Sequence, residues 1–184
     1  MLGISVDVFN EKGFDGTSME DLSKRLGITK SAIYHHIDSK DELLGLALDR
    51  ALDNLEAVVA ENRTLAGSPV DRLEHLLRGG VAVLVRERKF VTLLLRVRGN
   101  TPVERAAMKR RRELDDYLSA LVTEASEQGL ARPDLDPHVS ARLVFGLVNS
   151  LTDWVRPRHS AEKVADDLVQ LAFHGLLVPT RRRR

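Results

Sequence analysis

The chain has 184 residues, 43% of them hydrophobic and 30% charged, which suits one globular domain or two small, intimately packed ones. Aromatic residues are only 4%, thin for a β-sheet protein, and the complete absence of cysteine excludes a disulfide scaffold, a thiolate metal site and a thiol nucleophile. The net charge of +1 is uninformative, but residues 1–50 carry six basic against nine acidic side chains, whereas residues 78–112 carry eleven against two. No apolar run approaches the ~20 residues of a membrane helix, and the N-terminus lacks a basic stretch followed by a long apolar one, so a cytoplasmic location is expected.

Periodicity and punctuation predict helices throughout. Val6 and Phe9 lie on a first helix that stops at Gly13. Thr17 or Ser18 caps a second over Met19–Leu26, with Glu20 and Asp21 in its first turn, and Gly27 ends it. Thr29 caps a short third helix, TKSAIYHHI, and Ile28 is expected to fill the space between the two. Ser39 caps a long fourth helix from KDELL towards Asn62, and Gly67-Ser68-Pro69 is the clearest break. Beyond it come a helix near 70–85, an apolar stretch near 90–97, a turn at Gly99–Pro102 and a long helix near 103–127. After a loop ending near Pro137, helices near 138–155 and 161–177 are apolar over more than one stripe, which implies a partner such as a second copy of the chain.

Two short helices joined by Gly27-Ile28 have the dimensions of a helix-turn-helix, the second exposing the donors Lys30, Ser31, Tyr34 and His35. The run GFDGTSMEDLSKRLGITKSAIYHHIDSKDELL, residues 13–44, resembles the DNA-binding segment of the TetR family of transcriptional regulators. The resemblance implies an all-α fold of about nine helices. A helix-turn-helix DNA-binding domain would occupy residues 1–46, and a ligand-binding and dimerisation domain residues 47–184. It also implies a homodimer joined through its last two helices. Carried over by position, Thr17 and Ser18 would meet a phosphate. Thr29, Lys30, Ser31 and Ala32 would face base edges or the adjacent backbone, Tyr34 and His35 would touch phosphate or base, and Lys40 would pair with a phosphate. Ile37 stands where the family commonly has Phe. Because the first helix starts almost at Met1, no arm reaching the minor groove is expected.

Candidate effector contacts are Phe90, Leu94, Arg96, Arg98 and Trp154, and candidate dimer contacts are Phe145, Val148, Leu168 and Phe173. The function expected is a ligand-responsive repressor that binds a palindromic operator as a homodimer and is released by a small molecule, with the long fourth helix as the link. The basic middle region makes an anionic effector such as an acyl-CoA plausible. Lys109–Arg112 fans around a helix and reads as a solvated face, and Arg181–Arg184 reads as a disordered tail. His35-His36 point apart and lack a third ligand, so no metal is expected. With no metal helix, phosphate loop or nucleophile–base pair, neither a cofactor nor an enzyme is expected. The acidic excess of residues 1–50 supports one alternative, a helical binding or interaction protein that does not use DNA.

Overall fold

The computed structural model describes residues 1–156 and 158–176, and among them the structure is nine α-helices. These are α1 (Leu2–Lys12), α2 (Met19–Leu26), α3 (Lys30–Tyr34), α4 (Lys40–Thr64), α5 (Pro69–Arg86), α6 (Arg88–Arg96), α7 (Pro102–Glu127), α8 (Pro137–Trp154) and α9 (Ala161–Leu176). The expected element order is observed. Leu177 and the tail Arg181–Arg184 lie outside the described residues.

Local chemistry explains the starts. The Ser18 hydroxyl accepts from the Asp21 amide at 3.1 Å while the Asp21 carboxylate accepts from the Ser18 amide at 2.9 Å, a reciprocal capping box for α2. Ser68 and Asp71 repeat the arrangement at the head of α5. Asp136 accepts from the Val139 amide at α8, whose first residue is Pro137, where proline's missing N–H costs nothing. α3 is shorter than expected. The amides of both His36 and Ile37 turn back to the Ile33 carbonyl, so the helix tightens and ends at Tyr34 while Ile37 still enters the core.

The chain divides into two compact units. Residues 1–54 and 87–111 form the first, in which α1 packs on α2 and α6 and α2 packs on α3. Val6, Phe9, Leu22, Ile33, Leu43, Leu44 and Leu94 are buried there. Each such side chain contributes about 1.5–3 kcal/mol on burial. A nearly buried Glu87 receives the Arg50 guanidinium at 2.8 and 3.2 Å, and that guanidinium lies 4.4 Å from the Phe90 ring centre. Lys89 donates to the Gly3 carbonyl at 2.8 Å and to Asp7 at 3.1 Å, fixing α1 against α6.

Residues 55–86 and those from 112 onward form the second unit, where α5 packs on α8 and α9 and these two pack on each other. Its core includes Leu73, Leu77, Val81, Leu121, Val144, Leu151 and Val169. Gly79 is required by a close approach, since a Cβ there would stand 2.4 Å from the Val58 side chain. Fully buried Asn62 is satisfied on both sides. Its oxygen accepts from the Tyr117 hydroxyl at 2.8 Å and its nitrogen donates to the Arg72 carbonyl at 2.7 Å. No described helix is long and apolar enough to cross a membrane.

Candidate nucleic-acid interface

Gly27 ends α2 in the left-handed conformation (φ 67°), turning the chain within two residues so that Thr29 can begin α3. The Thr29 hydroxyl accepts from the Ala32 amide at 3.1 Å and holds the first turn of a helix only five residues long. Leu22 and Ile33 fill the space between the two helices; Ile28, expected there, is instead exposed because the left-handed turn carries it outward.

The expected DNA contacts fall into two groups. Ser18, Thr29, Lys30, Ser31, Tyr34 and His35 are exposed at the head of α2 and along α3, Tyr34 by 45%, with Ala32 half-buried among them. The Lys30 ammonium lies 5.9 Å from the Tyr34 ring centre, so a cation and a phenol share that surface. Thr17 and Lys40 are engaged inside the protein. Thr17 is 2% exposed and its hydroxyl donates to the Gly13 carbonyl at 2.6 Å. The Lys40 ammonium donates to the carbonyls of Phe14 at 2.8 Å and Thr17 at 2.9 Å, and sits 4.3 Å from the Phe14 ring centre.

The acidic excess of the first fifty residues is balanced by pairing. Asp21 meets Lys12 at 2.5 Å, Glu20 meets Lys24 at 2.7 Å and Glu11 meets Arg25. Asp7 is met by Lys89, and Asp49 by Arg110 at 2.7 Å. The last two cations come from the basic middle of the chain, which the linear charge count assigned elsewhere. Lys12 first, then the Ser18 hydroxyl and amide, hold the Asp21 carboxyl well below the usual carboxylate range. The hydrogen bond from Arg25 lowers the Glu11 carboxyl as well. Arg110 is therefore no member of a solvated face: it bridges Asp49 and Asp53, while Lys109 and Arg112 are exposed.

The remaining candidates are dispersed. Phe90 and Leu94 are interior side chains of the first unit. Arg96 donates to the Asn10 carbonyl at 2.6 Å and, with Arg98, lines a cleft of about 300 Å³ in that unit. Trp154 belongs to the second unit, edge-on to His159, where it lines a groove of about 500 Å³ between α8 and α9. Of the expected dimer contacts, Leu168 is buried and Phe145, Val148 and Phe173 are half-buried. The apolar side chains these helices leave open are Val139, Leu143 (66% exposed), Leu147, Trp154 and Leu171 (67% exposed). Their spacing on α8 was readable, but which stripe stays uncovered depends on where α5 packs. A cleft of about 820 Å³ between α7 and α8 is lined by Arg112, Leu118, Ser119, His138, Arg142 and Phe145, and sequence reasoning did not find it because its two walls are distant in the chain. Among the described residues no group of three His, Asp or Glu side chains is placed to hold a metal.

Comparison with known proteins covers both units. Residues 4–47 match the family of bacterial regulatory proteins, tetR family, and residues 66–176 match the tetracyclin repressor-like C-terminal domain. The biofilm operon negative transcriptional regulator IcaR of Staphylococcus aureus is 27% identical over 100 residues, 54% of this chain, and the chain spans only 52% of that relative's length. The crystal structure of SCO3833, a TetR regulator from Streptomyces coelicolor A3, is 47% identical with a TM-score of 0.90, covering 95% of this chain and 90% of that one. AibR, solved with isovaleryl coenzyme A and operator DNA, is 29% identical with a TM-score of 0.78, covering 92% and 94%.

Proposed function

Since this chain belongs to the TetR family of DNA-binding transcriptional regulators, and is not an enzyme, we propose that it is a cytoplasmic, ligand-released repressor acting as a homodimer on a palindromic operator. The observation that carries this is the exposed length of α3, where Thr29, Lys30, Ser31, Tyr34 and His35 offer donors to phosphates and base edges, with Ser18 exposed beside them at the head of α2. Thr17 and Lys40 belong to the same interface from within. Ala32, small and half-buried, allows the backbone of α3 to approach the groove.

A dimer formed through α8 and α9 covers Leu143, Leu147 and Leu171, apolar side chains that a monomer leaves in water. Phe145, Val148, Leu168 and Phe173 back that surface. Two recognition helices about 34–36 Å apart then enter successive major grooves. The effector is an anionic small molecule of the acyl-CoA kind, for which the relative AibR is the support. The α7–α8 cleft, with Arg112 and Arg142 on its wall, is its place in the second unit, with Trp154 at the neighbouring groove. Phe90, Leu94, Arg96 and Arg98 lie in the first unit, where Arg96 and Arg98 line its smaller cleft. Release needs only different affinities for two conformers, a coupling of about 1–3 kcal/mol.

The test is a mobility shift on DNA just upstream of the protein's own gene at two salt concentrations, followed by titration with short- and long-chain acyl-CoAs. Tight, salt-sensitive binding that random DNA does not displace, lost on adding one thioester, supports both parts. Specific binding that no acyl-CoA reverses removes the effector assignment alone. Binding no tighter than to random DNA, followed by a random-duplex selection that enriches nothing, removes the repressor.

A further inference from the structure

We infer that Lys40 is a positioning residue for operator binding, clasping the turn between α1 and α2 so that the head of α2 meets the DNA backbone in place. This rests on the operator-binding function above and concerns how one of its residues acts.

The ammonium has three N–H donors and no acceptor. Two are committed, to the Phe14 carbonyl at 2.8 Å and the Thr17 carbonyl at 2.9 Å, and the charge lies over the Phe14 ring at 4.3 Å. Those partners bracket the turn. Phe14 is anchored edge-on to Phe9, its ring centre 5.3 Å away, and Phe9 belongs to the buried core of the first unit. The Thr17 amide donates to the Phe14 carbonyl at 3.1 Å and its hydroxyl to Gly13 at 2.6 Å, so the turn is cross-linked within itself. The peptide whose carbonyl Lys40 holds at Thr17 is the one that supplies the Ser18 N–H. Ser18 is the cap residue of α2, fixed to Asp21 by two reciprocal bonds. Moving the ammonium therefore moves Ser18, and with it the first turn of α2 that faces the DNA.

The same turn is held from its other side. Asn100 donates to the Asp15 carboxylate at 3.0 Å. A lysine whose role is to neutralise a phosphate presents its ammonium to solvent. Here the side chain is half-buried and most of its donor capacity is used before DNA arrives.

The two roles separate in the salt dependence. A phosphate ligand contributes about 0.9 to the slope of log K against log salt, whereas a residue that only places others contributes nothing to it. The experiment measures operator affinity of the full-length protein and its Lys40→Met variant across salt, with amide exchange of residues 14–21. The expected result is about tenfold or weaker binding at fixed salt, an unchanged slope, and faster exchange confined to that turn. A slope reduced by about 0.9 with normal exchange, or an unchanged affinity, overturns the inference.

Should Lys40→Met not fold, Lys40→Arg carries the test. A phosphate contact survives the change, since guanidinium binds phosphate at least as well. The clasp is disturbed, since the larger planar head has to displace the two carbonyls or the Phe14 ring from the places they take around the ammonium. Wild-type affinity and slope in Lys40→Arg therefore overturn the inference, and weaker binding at unchanged slope supports it. Absence of specific binding by the wild-type protein instead removes the operator function on which all of this depends.

Discussion

Glu104 offers the sharpest test of how the first unit is held together. It is 3% exposed, and one carboxylate oxygen accepts the backbone amides of Arg98 (2.8 Å), Gly99 (2.7 Å) and Asn100 (3.1 Å). Three donors converging on one charged oxygen fix the segment between α6 and α7, which in turn places Asn100 on Asp15. Glu104→Gln keeps the shape and removes the charge. The three bonds then fall from charge-assisted to neutral strength, a loss of about 1 kcal/mol each. The expected loss is about 3 kcal/mol, or a melting temperature lower by ~6–12 °C for a chain of this size. Urea denaturation followed by circular dichroism measures it, at one fixed protein concentration because self-association of the kind proposed would shift apparent stability. Glu113→Gln, at an exposed position of the same helix, is the control and should change stability by less than about 0.5 kcal/mol. A loss below about 1 kcal/mol for Glu104→Gln refutes the idea that this carboxylate organises the segment.

Thr29→Ala removes the cap of α3 at a cost of about 1 kcal/mol, and in a five-residue helix that weakens operator binding about fivefold; Thr29→Ser should restore it, and fluorescence anisotropy decides. Leu143→Glu combined with Leu171→Glu places charge on the exposed apolar faces of α8 and α9 and should yield a folded monomer by sedimentation; a variant that stays dimeric locates the dimer surface elsewhere. Asp21, whose carboxyl is held low by Lys12 and Ser18, contributes stability that is present above the unfolded carboxylate pKa of ~3.9 and is lost as pH falls towards its lower folded value. Asp21→Asn should therefore flatten the acid limb of the stability curve below about pH 4 and leave its neutral region little changed in slope, a comparison made by thermal melts across pH.

What the sequence determined by itself is the local chemistry. Caps at Ser18, Thr29 and Asp136, stops at Gly13, Gly27 and Gly129, and the apolar period place helices without any knowledge of what they pack against, because each signal acts within four residues. The helix-turn-helix was legible for the same reason, being two short helices and one turn contiguous in the chain. Tertiary structure alone decided which charges meet and which faces remain open. Lys89 and Arg110 return to Asp7 and Asp49 across more than sixty positions, reversing the impression of an acidic N-terminal region. Lys40 reads in the sequence as a phosphate ligand, and its bonds to the Phe14 and Thr17 carbonyls, some twenty-five residues away, show only in the fold. Leu168 and Leu171 sit on one apolar helix, and only the docking of α5 separates the buried one from the exposed one. Pairing and exposure depend on distances that are short in space and long in sequence, and a sequence pattern carries no record of them until the helices pack.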